Sequence, residues 1–158
     1  MAATATTPLA TPPSLPPPRK TYPSHVRAVS YGKALFADAD LPAGTVVERF
    51  EGEVVEYDQV SEKDKTYVLN FLPPGETEWK WLLPTSDARF ANHSCDPNAK
   101  LTNLQIILTR PVKKDEEITF LYNPGDDTDY WDPAWNFKCC CGSTDCQGDI
   151  DRYRKPKA

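Results

Sequence analysis

Apolar positions along the chain come in short runs, each cut off by residues that favour turns. Val26-Arg27-Ala28-Val29 stops at Ser30-Tyr31-Gly32, and Ala34-Leu35-Phe36-Ala37 gives way to Leu41-Pro42-Ala43-Gly44. Further runs read as strands at 45–50, 54–57, 67–72, 79–83, 100–102, 105–109 and 118–122. Short strands divided by Gly, Pro and Asn predict a mainly β fold. The helical period is weak, and the only candidates are 59–65 and a turn at 86–90. The longest apolar runs, such as Ile106-Ile107-Leu108, fall far short of the roughly 20 residues that a membrane helix needs, so no membrane partner is expected.

Composition changes this picture at the two ends. Of the 16 prolines, seven lie between Pro8 and Pro23, in a stretch of Ala, Thr and Pro without an acidic residue. Such a stretch cannot bury enough apolar surface to offset its chain entropy, so 1–23 reads as a disordered tail. The body starts at Ser24, and the last residues, 151–158, are a basic tail. A formal net charge of −5 argues against a nucleic-acid binder that works by neutralising phosphates. It suits a basic partner such as a lysine-bearing peptide. Four of the five cysteines fall between Cys139 and Cys146, too close for an ordinary disulfide framework. Reduced thiols in the nucleus or cytoplasm, serving metal binding or catalysis, are the better reading.

The most informative stretch is Arg89-Phe90-Ala91-Asn92-His93-Ser94-Cys95-Asp96-Pro97-Asn98. Asn and Pro favour turns, whereas Phe90 and Cys95 favour burial. Polar groups beside apolar anchors need hydrogen-bond partners. From composition alone, two readings stand equal: a network that pins the loop to the body, or a ligand site.

The stretch resembles the signature of SET-domain lysine methyltransferases, and the family's other marks follow in order. Gly32-Lys33-Ala34-Leu35-Phe36-Ala37 is similar to Gly-x-Gly-Leu-Phe-Ala, and Phe50-Glu51-Gly52-Glu53 to Tyr-x-Gly-Glu. Glu116-Glu117-Ile118-Thr119-Phe120-Leu121-Tyr122 resembles Glu-Glu-Leu-Thr-Phe-Asp-Tyr, and Cys139-x-Cys141-x4-Cys146-x-Gly148 resembles the post-SET motif. Departures stand at Ala34, Phe50, Leu121 and Ser86, where the family usually has Gly, Tyr, Asp and Asn. The resemblance implies several small twisted sheets with a pseudoknot-like crossing near Asn92 and Tyr122. It divides the chain into a SET domain at 24–123 and a post-SET region at 124–150.

The resemblance also implies the chemistry. The chain would move a methyl group from S-adenosylmethionine to a lysine of a histone or another protein. Tyr122 would be the catalytic tyrosine; otherwise it is a strand tyrosine whose hydroxyl reaches solvent. The donor would rest on Gly32, Lys33, Ala34, Asn92 and the backbone of His93, with Tyr67, Arg89 and Phe90 as further contacts. Phe120, Trp131, Trp135 and Phe137 would form the lysine channel, and phenylalanine at 120 leaves room for di- or trimethylation. Cys139, Cys141 and Cys146 supply three thiolates where a structural zinc takes four ligands. Cys95 is the only cysteine outside that cluster, and the resemblance implies that it completes the set. Cys140 falls outside the pattern. Free thiols, or a Cys139–Cys146 disulfide, are the alternative. The acidic run Asp126-Asp127-x-Asp129, with Asp132 behind it, either draws in a basic substrate or is a solvated loop. The departures leave a second function in play, a catalytically weak SET-fold binding module stabilised by zinc.

Overall fold

The computed structural model describes residues 21–123 and 131–154. Among these, twelve strands form four small sheets. The largest sheet has the order β1-β2-β10-β7, from Ser24–Val29, Gly32–Ala37, Glu117–Phe120 and Asn92–His93. The second, β3-β9-β8, joins Val46–Arg49, Gln105–Leu108 and Ala99–Thr102. The third, β4-β6-β5, joins Gly52–Val55, Lys80–Pro84 and Leu69–Phe71. The fourth pairs β11 (Phe137–Lys138) with β12 (Asp149–Ile150). The fold is mainly β, as the hydrophobic pattern predicts.

Strand β2 explains the first motif. It pairs with β1 across a tight hairpin, Val29 opposite Gly32, and with β10 on its other edge. Ala34, Leu35, Phe36 and Ala37 are all buried, because the strand is interior and has little solvent face. β9 and β10 instead alternate: Ile106, Leu108, Ile118 and Phe120 point into the core, and their neighbours do not. Leu35, Val47, Ile106, Leu108 and Ile118 belong to one apolar cluster that joins the first two sheets.

The expected crossing takes a definite form. β10, late in the chain, sits between β2 and β7 and runs parallel to β7, with Thr119 opposite Asn92 and Phe120 opposite His93. The Ser94 N–H donates to the Phe120 carbonyl at 3.2 Å and extends the contact. The strand thus brings the end of the Glu116–Tyr122 motif beside the Asn92-His93 motif.

Several expected elements shift. The strand expected at 54–57 lies at Gly52–Val55, and Tyr57 opens a 3-10 turn, Tyr57–Gln59. The helix expected at 59–65 is a series of turns in which the Ser61 hydroxyl bonds the Asp64 carboxylate at 2.7 Å. The 3-10 turn buries no residue, so no apolar face rewards a full helix there. The last expected strand ends at Phe120 rather than 122, because the Tyr122 N–H is taken by a side chain. Tyr22, assigned by composition to the tail, is buried, and the Asp38 N–H donates to the Pro23 carbonyl.

Gly52 shows why its motif holds a glycine. It stands opposite Pro84, and a Cβ built on it would lie 2.1 Å from the Leu83 carbonyl oxygen. The obstruction is the backbone of β6 at Leu83 and Pro84, so a side chain has nowhere to go. Gly52→Ala is expected to cost about 3 kcal/mol or more, measured by denaturant titration. A loss below about 1 kcal/mol would mean that β4 and β6 can part without penalty.

Candidate active site

The Arg89–Asn98 stretch is pinned as a network, one side chain at a time. It opens with a 3-10 turn, Asp87–Phe90, preceded by Ser86. Ser86, where the family usually has Asn, is buried; its hydroxyl donates to the Arg49 carbonyl at 2.7 Å and accepts the Glu51 N–H at 3.1 Å. Asn92 Nδ2 donates to the Lys33 carbonyl at 3.0 Å and to Glu117 Oε1 at 3.2 Å, tying β7 to β2 and β10. Asn98 is buried, donates to the Glu117 carbonyl at 2.8 Å and accepts the Thr119 N–H at 3.0 Å. Sequence reasoning assigned Asn98 no role, although it closes the motif.

The same network frames an open place. Gly32 has φ of 122°, a conformation that side-chain-bearing residues avoid, and among the described residues nothing lies within 4 Å of where its Cβ would be. Among the described residues, Asn92 Oδ1 remains an open acceptor once Nδ2 has made its two bonds. Phe90 forms a floor nearby, with the Arg89 guanidinium 4.5 Å and Lys33 Nζ 5.1 Å from its ring centroid. Tyr67 meets the Phe90 ring edge-on at 6.4 Å. Ala34 is not among the residues with positive φ, so the backbone does not require a glycine there.

Tyr122 lies just past β10 with an aromatic wall around it. Phe120 is 4.8 Å away, His93 5.4 Å and Phe137 5.9 Å, centroid to centroid. Its hydroxyl donates to the Ala91 carbonyl. Burial, with smaller contributions from Tyr67 and Glu117, pushes the phenol well above its ordinary pKa. Phe50, which stands where the family has Tyr, is core: its ring packs edge-on against Phe120 at 6.1 Å. Of the four expected channel residues, Phe120 and Phe137 flank Tyr122. Trp131 and Trp135 stand in a second aromatic cluster with Tyr57 and Trp81.

That second cluster carries an unforeseen clasp. The Tyr57 hydroxyl donates to Asp132, and Trp135 Nε1 donates to the Lys65 carbonyl at 2.7 Å. Asp132 also caps the 3-10 turn Pro133–Trp135 by accepting the Ala134 N–H. Its carboxyl, expected to draw in substrate or face solvent, instead joins the segment just before the cysteines to the 57–65 segment. Asp126, Asp127 and Asp129 lie outside the described residues.

The four expected cysteines converge. The sulfurs of Cys95, Cys139, Cys141 and Cys146 all lie within 4.8 Å of one another, and none is in a disulfide. The Cys95–Cys139 separation is 3.9 Å. A tetrahedron with zinc–sulfur bonds of about 2.3 Å has edges of about 3.8 Å, so this donor set fits a metal ion. Cys140 is exposed and stands outside the group. Burial raises the Cys139 pKa. At Cys141 burial raises the pKa but is outweighed by hydrogen bonding with the Ser143 side chain and with the Ser143 and Cys95 backbone, which brings the thiol down to about 6. Arg154 Nη2 donates to the Cys95 carbonyl at 2.7 Å and ties the C-terminal end to the same point.

Residues 32–123 match the pattern of the SET domain. The chain belongs to the SET-domain family. It is 27% identical over 148 residues to a histone-lysine N-methyltransferase, H3 lysine-4 specific, of Aspergillus oryzae, a match covering 84% of this chain and 12% of that protein. It is 28% identical over 130 residues to the human histone-lysine N-methyltransferase 2D, covering 73% of this chain and 2% of that one. It is 31% identical over 135 residues to an H3 lysine-36 specific enzyme of Candida glabrata, covering 74% and 18%. The chain thus spans less than a fifth of these relatives. A solved Plasmodium falciparum chain, proposed to be a histone methyltransferase, aligns with a TM-score of 0.52 at 16% identity. It covers 67% of this chain and 97% of its own, and it shares the fold. The SET pattern ends at 123, so the cysteine group, apart from Cys95, is built by the segment that follows it.

Proposed function

We propose that this SET domain is a protein-lysine methyltransferase that uses S-adenosylmethionine and carries one structural zinc ion. The observation that carries the proposal is the meeting of Tyr122 with the Ala91-Asn92-His93 segment beside an open Gly32. The donor would supply a methyl group on a sulfonium. Its carbon–sulfur bond would break with the electrons staying on sulfur, and the lysine nitrogen lone pair would form the new bond after the ammonium has lost its proton to solvent. No covalent enzyme intermediate is required; position and a neutral amine are.

Each requirement has residues to meet it. Gly32, the Lys33 and Ala34 backbone, Asn92 and the His93 backbone would hold the donor, with Tyr67, Arg89 and Phe90 at its edge. Free lysine is charged at neutral pH, with a pKa of about 10.4. The apolar wall of Phe120 and Phe137 disfavours the ammonium by desolvation and still accommodates methylated nitrogen against its rings. The Tyr122 hydroxyl would orient the methyl group and the amine. Phe120 brings no hydroxyl to hold a water, which supports di- and trimethylation. Cys95, Cys139, Cys141 and Cys146 would hold zinc and fasten 137–150 over the Asn92-His93 loop. Trp131 and Trp135 would line the outer channel.

The relatives named for H3 lysine 4 and lysine 36 support a histone tail as substrate and a nuclear location. The domain division of the sequence reading, 24–123 and 124–150, is kept as part of this proposal. Two measurements test it: calorimetric titration of the zinc-loaded chain with S-adenosylmethionine, and transfer of labelled methyl to core histones and H3 peptides. Donor binding with label on a lysine is expected. Absence of donor binding would remove the Gly32–Asn92 assignment. Binding without transfer to any histone or extract protein would favour a non-catalytic binding module.

A further inference from the structure

His93 has the chemistry of a general base or a metal ligand, and its geometry assigns it a different task. The ring is buried, and each of its nitrogens faces a different neighbour. Nδ1 is 3.0 Å from the backbone nitrogen of Tyr122. A backbone N–H can only donate, so Nδ1 must be the bare, accepting nitrogen. In the neutral ring the proton then sits on Nε2. Nε2 lies 3.4 Å from Cys95 Sγ. The Gln147 N–H points at the same sulfur, also at 3.4 Å. Two donors converging on one sulfur fit a cysteine that binds a metal, whose remaining lone pairs accept hydrogen bonds from outside the coordination shell.

We infer that His93 is a positioning residue that couples the metal-binding sulfur of Cys95 to the backbone of Tyr122 through the two nitrogens of one imidazole. The inference rests on the reading of Tyr122 as catalytic and of the four cysteines as a zinc site. Its physical basis is that β10 ends at Phe120, so strand pairing does not fix the Tyr122 amide. The imidazole replaces the missing strand partner. It also meets the tyrosine ring edge-on at 5.4 Å and the Phe137 ring at 5.6 Å, so it cannot turn without moving both. A displacement of Cys95 on metal loss would therefore reach Tyr122 through a rigid plane rather than a flexible chain.

The two bonds can be separated by substitution. In His93→Asn, Oδ1 stands in for Nδ1 and can accept the Tyr122 N–H, but nothing reaches Cys95. In His93→Gln, the amide nitrogen stands in for Nε2 and can donate to Cys95, but the Tyr122 N–H loses its acceptor. In full-length zinc-loaded protein, His93→Asn should lower zinc affinity about tenfold in a chelator competition and leave Tyr122 amide exchange close to wild type. His93→Gln should do the reverse, with Tyr122 amide exchange at least about tenfold faster and zinc retained. Equal losses in both variants, or no change in either, would overturn the coupling. A measurement on the unmutated chain guards against misfolding: imidazole ¹⁵N spectra should show His93 with its proton on Nε2. A proton on Nδ1, or on both nitrogens, at neutral pH overturns the inference as well. None of these readouts depends on methyl transfer. If no substrate is ever methylated but the variants divide as described, the coupling stands and the catalytic reading falls.

Discussion

Stripping the metal from zinc-loaded protein with a chelator is expected to reduce methyl transfer about a hundredfold or more while leaving most of the β fold intact. The reason lies in how unevenly the chain is supported. The first three sheets share a continuous core, with Leu35, Val47, Leu82, Ile106, Leu108 and Ile118 buried together. The segment beyond 131 has little of this. Its one sheet, β11-β12, pairs two residues with two, and its largest fully buried side chain is Ile150. An isolated pair of such short strands is not stable in water. The four sulfurs within 4.8 Å are what join it to Cys95 and so to the core. Structural zinc in small domains contributes about 10–16 kcal/mol of apparent binding free energy, ample to fold a segment of this size. Without the metal, the Phe137 ring would leave the wall of Tyr122, and a misplacement of about 1 Å in a reacting pair can cost about a hundredfold in rate. Cys139→Ser should reproduce the loss, and added zinc should reverse it in the wild-type chain alone. Full activity in protein shown by atomic spectroscopy to be metal-free would reduce the cysteine group to a bystander. The clasp of Tyr57 on Asp132 and Trp135 on the Lys65 carbonyl would then be what holds the segment down.

The sequence disclosed the strands better than it disclosed what they bring together. The runs at 105–109 and 118–122 read as strands, and β9 and β10 form there within a residue or two. Zinc chemistry asked for a fourth ligand beside the three clustered thiolates, and the resemblance implied that Cys95 supplies it. What periodicity could not reach was β7. Two residues, Asn92 and His93, form a strand only because β10 arrives alongside them, and no local pattern announces that Asn92 will pair with Thr119 or His93 with Phe120. The resemblance to a known family supplied that crossing. The clasp was missed for a similar reason. Tyr57 and Asp132 are 75 positions apart, and each looks like an ordinary loop residue. The departures at Phe50 and Ala34 gain a physical account only with the neighbours in view: an edge-on contact with Phe120, and a buried strand position without positive φ. Leu121 is half-buried, and nothing in the structure explains why it replaces an aspartate.

Replacing Tyr122 with phenylalanine is expected to lower kcat by about 10²- to 10³-fold, the usual cost of removing one aligned donor from a water-excluded site. Stability should change by only about 1 kcal/mol, since a single bond to the Ala91 carbonyl is lost and the ring keeps its neighbours Phe120, His93 and Phe137. Zinc content and donor affinity should remain near wild type, so the loss will appear in the chemical step. The pH profile gives a second, independent check, and its direction follows from the burial of the phenol. A free tyrosine is half ionised near pH 10. Burial disfavours the phenolate, and the neighbouring Tyr67 and Glu117 disfavour it further, so in the folded protein the hydroxyl stays protonated above that pH. The substrate amine behaves oppositely, because more of it is neutral, and able to attack, as pH rises toward its pKa of about 10.4. Wild-type transfer should therefore climb steadily from neutral pH to about pH 10, over the range in which the fold survives, with no falling limb from tyrosine ionisation. A decline setting in near pH 9, absent from the Phe variant's residual rate, would show that Tyr122 ionises like an exposed phenol. In that case the aromatic wall does not exclude water, and the desolvation account of how the lysine becomes a nucleophile fails with it.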